Sequence, residues 1–119
     1  MQDFHKLAVW QKSHRLPLAV YRGTASFPKA ELFGMTSQTR RAAASIEMNI
    51  AEGCGRDGRV ELARFLRIAA GSASELECQV EIARDLGFLK PATAMEWAGA
   101  VIEIKRMLTG LVKKLSTED

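Results

Sequence analysis

The chain has 119 residues and a mass of 13.1 kDa, a size that fits one domain over residues 1–119 with a single hydrophobic core. Its composition, 47% hydrophobic and 26% charged, excludes a disordered chain, and charges interrupt every apolar run well short of the ~20 residues that cross a bilayer. The net charge of +3 is modest. We therefore expect a cytoplasmic protein without membrane contact, and the spacing of Cys54 and Cys78 suggests neither a disulfide framework nor a zinc site.

A first helix is predicted from about Lys6 to Gly23. Its apolar anchors are Leu7, Trp10, Leu16, Val20 and Tyr21. Pro17 lies inside this helix and removes one backbone hydrogen bond, so we expect a kink there. Residues 24–35 are too many for a tight turn and too apolar for a solvated linker. We predict a short helical turn whose Phe27 and Phe33 close one end of the core.

The second helix is predicted to begin near Thr36 or Ser37, where a hydroxyl can cap the free amides, and to stop at Gly53. The glycine-rich residues 53–58 then connect it to the next helix. Apolar or small side chains recur at the three- and four-residue steps of one buried face: Met35, Thr39, Ala42, Ile46 and Ile50.

Two further helices follow the same pattern. The third runs from about Leu62 to Gly87, a residue type that commonly ends helices, and the fourth carries Pro91 in its first turn. The buried face of the third helix is predicted to hold Leu62, Leu66, Ala69, Ala73, Leu76, Val80 and Ala83, widened by Phe65, Ile68, Ser72 and Ile82. That of the fourth is predicted to hold Ala94, Trp97, Val101, Ile104, Leu108, Leu111 and Leu115. Four such helices with mostly short connections and no strand pattern predict an all-α fold, an antiparallel up-down-up-down four-helix bundle.

A glycine near the middle of the third helix suggests a close contact between helices. Gly71 costs about 1 kcal/mol relative to alanine in a helix interior, so a compensating interaction is expected. Small side chains at Ala42, Ala43 and Ala44 on the second helix match it in size. We therefore predict that the second and third helices cross tightly at Gly71 and Ser72.

No catalytic or metal-binding pattern is present in the sequence. A di-iron site in a bundle uses Glu-x-x-His pairs, and neither of the two histidines, His5 and His14, follows a glutamate by three residues. The glycines of residues 53–58 follow a helix rather than a strand and lack the lysine of a phosphate-binding loop. We therefore predict that the protein is not an enzyme and takes no metal and no cofactor.

Basic side chains concentrate in the first part of the chain. Residues 1–70 hold eleven Lys and Arg against six Asp and Glu, whereas residues 71–119 hold six against eight. The planar guanidinium group of arginine suits phosphate, and an isoelectric point near 9.1 favours nucleic acid as a partner. Arginines that are simply solvated at the surface are the alternative explanation. The candidate nucleic-acid-binding residues lie around the end of the second helix, the loop and the start of the third: Arg40, Arg41, Arg56, Arg59, Arg64 and Arg67.

A polar stripe runs along the second helix beside its apolar face. It consists of Gln38, Arg41, Ser45, Asn49 and Glu52. We interpret it as a subunit interface or as a buried polar contact with another helix, and a flank that faces water is the alternative. Glu52 lies at the negative end of the helix dipole, so an arginine or the amides of the following loop should stabilise it.

Several segments of the chain together resemble a known family. They are Leu7-Ala8-Val9-Trp10-Gln11, Phe27-Pro28 with Glu31, Phe33-Gly34-Met35-Thr36-Ser37-Gln38, Arg40-Arg41-Ala42-Ala43 with Ser45-Ile46, Asn49-Ile50-Ala51-Glu52-Gly53 with Gly55-Arg56, and Gly71-Ser72 with Glu75. Over nearly the whole chain they resemble the four-helix-bundle proteins encoded in intervening sequences of bacterial 23S ribosomal RNA genes, the S23 ribosomal protein family. A related branch is the accessory variability protein of diversity-generating retroelements.

The resemblance implies an up-down bundle that assembles into a homopentamer, a ring of five subunits. For the retroelement branch it also implies a basic surface that binds nucleic acid and a reverse transcriptase, whereas for most members the biochemical role is not established. The chain departs from the family pattern at Pro17 and at Glu47-Met48. Two hypotheses follow: a non-enzymatic oligomeric accessory protein that binds RNA or DNA, or a scaffold or adaptor for protein partners without nucleic-acid binding.

Overall fold

A computed structural model of the chain describes residues 2–117 and contains four long α-helices. They are α1 (Ala8–Gly23), α2 (Ser37–Gly55), α3 (Arg59–Asp85) and α4 (Pro91–Thr117). Short 3-10 turns at Phe4–Lys6, Thr24–Ser26 and Lys29–Glu31 and a π-helical segment at Leu32–Thr36 flank them. No strand occurs in the described residues, so the predicted all-α fold is confirmed. Within residues 2–117, no helix combines the length and hydropathy that crossing a bilayer requires.

The four helices form the predicted antiparallel up-down-up-down bundle. Its long axis measures 49 Å. Helix α2 packs most extensively on α3 and α3 on α4, and α1 lies against α2 and α4. Two contacts along each helix pair show the antiparallel order. Arg40 and Glu47 of α2 meet Tyr21 and His14 of α1, and Ser45 and Gly53 of α2 lie against Ser72 and Phe65 of α3. We call the end with residues 56–58 the loop end, and the end with residues 24–36 and 86–90 the connection end.

The core is built from the predicted apolar faces. Its largest fully buried side chains are Ile46, Ile50, Leu66, Leu76, Ile104 and Leu108. Residues at three- and four-residue spacing lie on one face of a helix, and antiparallel packing brings the four apolar faces together. Helix α1 also runs unbroken through Pro17, which is buried, and the kink expected there stays a prediction.

The connection end differs from its prediction. The expectation that Phe33 closes the core is wrong, because its side chain lies 91% exposed on the π-helical segment. Phe27 is buried as predicted, and its ring packs 5.7 Å from the ring of Phe88 in the connection between α3 and α4. A residue from the later connection therefore fills the place that Phe33 was expected to take.

Three positions predicted to be buried lie at the surface. Tyr21, expected as an anchor of the first helix, is 50% exposed because it lies on the outer side of α1 beside Arg40. Ile68 and Ile82, expected to widen the buried face of α3, are 41% and 43% exposed. The buried face of α3 is therefore narrower than its sequence suggests.

The predicted contact of α2 and α3 at Gly71 and Ser72 holds only in part. A Cβ atom added to Gly71 would meet no atom within 4 Å, so the close approach expected at Gly71 is wrong, whereas Ser72 does contact α2 through Ser45. A Cβ on Gly53 would instead lie 2.8 Å from the Phe65 Cβ and 3.3 Å from the Leu62 carbonyl oxygen. Gly53 does not end α2 either, since the helix continues to Gly55 and the loop shrinks to residues 56–58. The two helices therefore approach closely at Gly53, near the loop end.

Candidate nucleic-acid interface

Two glycines permit the short turn at the loop end, Gly53 through the space that its missing side chain leaves and Gly58 through its backbone conformation. At Gly53, α2 lies directly against Phe65 of α3. Gly58 has a φ of 88°, in the left-handed region that glycine adopts without a steric penalty. Helix α3 then begins at the next residue. The chain therefore reverses within three residues, and this brings Arg56 and Arg59 to the same end of the bundle.

The six arginines named from the sequence fall into two groups. Four belong to the loop and the first turns of α3: Arg56, Arg59, Arg64 and Arg67. Arg40 and Arg41 lie towards the other end of α2, and the rise of 1.5 Å per residue separates Arg41 from Arg56 by about 22 Å. The fold therefore does not bring all six into one surface.

Arg40 is occupied by contacts within the protein. Its Nε donates to Thr24 Oγ1 (2.8 Å), its Nη2 donates to the Tyr21 carbonyl oxygen (3.2 Å), and its guanidinium lies 4.8 Å from the centre of the Tyr21 ring. These contacts join the start of α2 to the end of α1. Arg40 therefore has a structural role that its sequence position did not indicate.

Arg56 and Arg64 flank the ring of Phe65. Their guanidinium groups lie 5.2 and 4.4 Å from its centre, within the range of cation–π attraction. Arg64 donates to both carboxylate oxygens of Glu61, and this hydrogen bonding lowers the pKa of Glu61 and raises that of Arg64. Arg56 Nη2 lies 3.5 Å from Glu52 Oε1, so the acid at the negative end of α2 has an arginine neighbour one turn further on. This exposed pair is weak.

Arg56, Arg59 and Arg67 form the basic surface of the loop end, which we call the arginine ridge. Arg59 lines two adjoining clefts, one with Arg56 and Gln2 and the other with Arg67, and Leu115 of α4 borders both clefts. Among residues 2–117, no ion pair includes Arg59 or Arg67. Within residues 2–117, the ridge therefore carries two positive charges without an ion-pair partner, and guanidinium groups bind phosphate oxygens through paired hydrogen bonds.

The polar stripe of α2 divides between contacts with α3 and exposed positions. Ser45 Oγ hydrogen-bonds to Ser72 Oγ (2.8 Å), and Asn49 Nδ2 donates to Ser45 Oγ (2.9 Å) and to the Ser45 carbonyl oxygen (2.8 Å). The other three members, Gln38, Arg41 and Glu52, are exposed. Arg41 lines grooves on both sides of the stripe, one of them also bordered by Glu75. The stripe thus joins α2 to α3 in its middle and faces outward at its ends.

Four aromatic rings form a group towards the loop end that was not predicted from the sequence. His5 stacks on Phe4 with ring centres 4.0 Å apart, Trp10 meets both edge-on at 5.2 and 4.9 Å, and His14 stacks on Trp10 at 4.9 Å. We call Phe4, His5, Trp10 and His14 the aromatic ladder. The four-residue spacing of Trp10 and His14 was a detectable signal, because such residues lie side by side on a helix. The position of the other two rings depends on how the N-terminal 3-10 turn packs.

The two cysteines occupy different surroundings. Cys54 is buried at the loop end, and burial raises the pKa of its thiol, whereas Cys78 is exposed on α3. Both thiols are free. In the part of the chain that the structure describes, no three His, Cys, Asp or Glu side chains are grouped so as to hold a metal ion.

Comparison with known proteins places the chain among bundle proteins. The family model described as 23S rRNA-intervening sequence protein matches residues 5–110. A crystal structure of a protein with unknown function from the S23 ribosomal protein family of Bacteroides thetaiotaomicron superposes with a TM-score of 0.80 over 89% of this chain and 99% of that chain. The two sequences are 23% identical, so this likeness shows a shared fold. None of the curated proteins compared matches the chain.

Proposed function

The chain belongs to the 23S rRNA-intervening sequence protein family, and from that premise we propose that it is a non-enzymatic, oligomeric accessory protein that binds nucleic acid through the arginine ridge. The observation that carries the proposal is that two arginines of the ridge form no ion pair with the described acidic residues. Arg59 and Arg67 are exposed beside Arg56 and belong to no ion pair within residues 2–117. Such groups gain free energy when they meet phosphates and release the counterions of a nucleic acid.

Assembly multiplies the effect of one ridge. The net charge of a single chain is only +3, and three arginines make a weak site for a polyanion. In the ring of five subunits that we propose, several ridges can engage one nucleic acid, and each contact after the first is intramolecular. The protein then acts in the cytoplasm, in reach of RNA and DNA and without a membrane.

Binding is tested with labelled RNA and DNA duplexes by fluorescence anisotropy across a salt series. We expect affinity to fall steeply with salt, with a log-log slope near −0.9 for each phosphate neutralised on duplex DNA. The variant Arg56→Gln, Arg59→Gln, Arg67→Gln should lower affinity at least tenfold and reduce the slope by about 1 per arginine. No salt-dependent binding by the wild-type protein at low salt would refute the function.

The matched control removes the same charge elsewhere. Arg15, Arg22 and Arg106 are also exposed, and none of them lines the two clefts of the ridge. The variant Arg15→Gln, Arg22→Gln, Arg106→Gln therefore changes the net charge equally and should retain most of the affinity. Equal losses in the two variants would show that net charge, and not the ridge, governs binding.

A scaffold for protein partners is the second candidate, and the outer groove of α2 favours it. Met48 is 64% exposed there, between Tyr21 of α1 and Phe65 of α3, with small side chains at Ala44 and Ala51. Apolar surface of this kind suits contact with another helix. Light scattering of the wild-type protein and of Met48→Glu tests whether this groove is a contact between subunits. A strictly monomeric mass of the wild-type protein at micromolar concentration would refute the proposed ring of five subunits.

A further inference from the structure

The aromatic ladder extends the proposed function, on which the following inference rests. We propose that the ladder stacks the bases of single-stranded nucleic acid while the arginine ridge holds its phosphates. Proteins that bind single strands combine a basic groove for the backbone with aromatic faces on which bases stack. Both parts occur at the loop end, whereas a duplex keeps its bases stacked inside and offers only phosphates and groove edges.

The exposure of the ladder suits this role. The side chains of His5 and His14 are 65% and 48% exposed, and each rests on a ring that packs against the core, Phe4 and Trp10 respectively. The inner rings therefore hold the imidazoles in place and leave much of their surface to solvent. A rigid exposed ring accepts a base with little loss of side-chain entropy.

Two carboxylates orient the exposed rings. Asp3 Oδ1 lies 2.7 Å from His5 Nδ1, and Glu47 Oε2 lies 2.7 Å from His14 Nδ1. Hydrogen bonds from His5 lower the pKa of Asp3, so this carboxylate stays charged at neutral pH. Negative charge beside the ladder disfavours phosphate there, and this leaves the rings to uncharged bases and the ridge to the backbone.

The N-terminal residues join the ladder to the ridge. The backbone N–H of Gln2 donates to the Cys54 carbonyl oxygen at the end of α2 (2.9 Å), and Gln2 lines the same cleft as Arg56 and Arg59. Phe4 follows two residues later. A strand whose phosphates lie on the ridge therefore passes within reach of the ladder, and its flexible backbone can turn successive bases towards the rings.

The test compares two strands that share a backbone. One is oligothymidylate of about 12 nucleotides, within the site sizes of single-strand binders, and the other has the same length with abasic sites in place of the bases. The wild-type protein should bind the thymidine strand at least about fivefold more tightly, the lower end of what one stacked base contributes. Equal affinity of the wild-type protein for the two strands would by itself refute base stacking on the ladder.

Substitution then locates the stacking site. His5→Ala, His14→Ala should lower the affinity for the thymidine strand to that for the abasic strand and leave duplex binding unchanged. Tyr21→Ala, which removes an exposed ring at the other end of α1, should keep the preference for bases. A preference that survives the double histidine variant would also overturn the proposal.

The outcomes separate the ladder from the ridge. Salt-dependent duplex binding without any preference for bases would leave the function of the ridge standing and remove the ladder. Absence of binding to every strand and duplex would remove both. Retained duplex binding by the double histidine variant also shows that the variant is folded.

Discussion

The two ends of the bundle use arginine in opposite ways. At the connection end, the guanidinium of Arg40 donates to Thr24 and to the Tyr21 backbone and covers an aromatic ring. At the loop end, Arg59 and Arg67 take part in no ion pair within residues 2–117. All three count equally in the charge of the chain, yet of the three only Arg40 has side-chain hydrogen bonds within residues 2–117. Neighbouring polar groups, rather than charge, therefore identify Arg40 as structural and leave Arg59 and Arg67 as candidates for binding.

The largest expected contrast between the ends is in cysteine reactivity. Cys54 is 1% exposed with a raised pKa, whereas Cys78, in the half of α3 nearer the connection end, is exposed. Thiolate is the reactive form, and a buried thiol reacts only after local opening, so iodoacetamide at pH 8 should modify Cys78 at least ~100-fold faster. Mass spectrometry of quenched samples measures both rates. Similar rates would mean that the loop end opens readily in solution.

Packing at the loop end is expected to tolerate no added side chain at Gly53. The variant Gly53→Ala forces a Cβ against Phe65 and Leu62 and should lower the free energy of unfolding by about 1–3 kcal/mol. Urea denaturation measures the loss. Gly55→Ala is the matched control, because a Cβ there meets no atom within 4 Å. If both variants lose the same stability, the close approach of α2 and α3 at Gly53 is wrong.

Two single substitutions, one at each end, test the contrast between the arginines of the two ends. Arg40→Ala removes two hydrogen bonds and should cost about 1–2 kcal/mol of stability without lowering nucleic-acid affinity. Arg59→Ala should change stability by less than about 0.5 kcal/mol and weaken binding. Denaturation and anisotropy on the same two proteins provide the comparison. The reverse pattern would assign binding to the connection end.

The smallest expected effect lies between the ends, at Gly71. A Cβ there meets no atom within 4 Å, and alanine is the better helix former, so Gly71→Ala should raise the free energy of unfolding by up to about 1 kcal/mol. Urea denaturation measures the gain. Loss of stability would indicate that a neighbouring subunit covers this face of α3, and dilution of the sample should then reduce the loss.

The helices and most of the core were predictable because their signal is local. Leu66, Leu76, Ile104 and Leu108 recur at the spacing of one helix face, and all four are fully buried. The exposed Phe33 was not predictable in the same way. Two aromatic residues in one connection both suit the core, and only the position of Phe88 on the adjacent connection decides that Phe27 has a ring partner there.

In the candidate site too, the part that depends on residues close in sequence was predictable and the part that depends on distant segments was not. The clustering of Arg56, Arg59, Arg64 and Arg67 in sequence predicted their shared place in space, because a short turn keeps neighbouring residues together. The separation of Arg40 from the other four and the ladder formed by Phe4, His5, Trp10 and His14 depend on contacts between segments far apart or outside regular helices. Those residues of the site were therefore missed or misplaced.

By itself, the sequence determined that this protein is an antiparallel bundle of four helices, because the period of apolar residues is a property of each segment alone. Tertiary structure decided which glycine lets α2 and α3 touch and which arginines form no ion pair within residues 2–117. The physical reason is register. A shift of one residue along a helix turns its side chains by about 100°, so neighbours across helices depend on an alignment that no single segment contains.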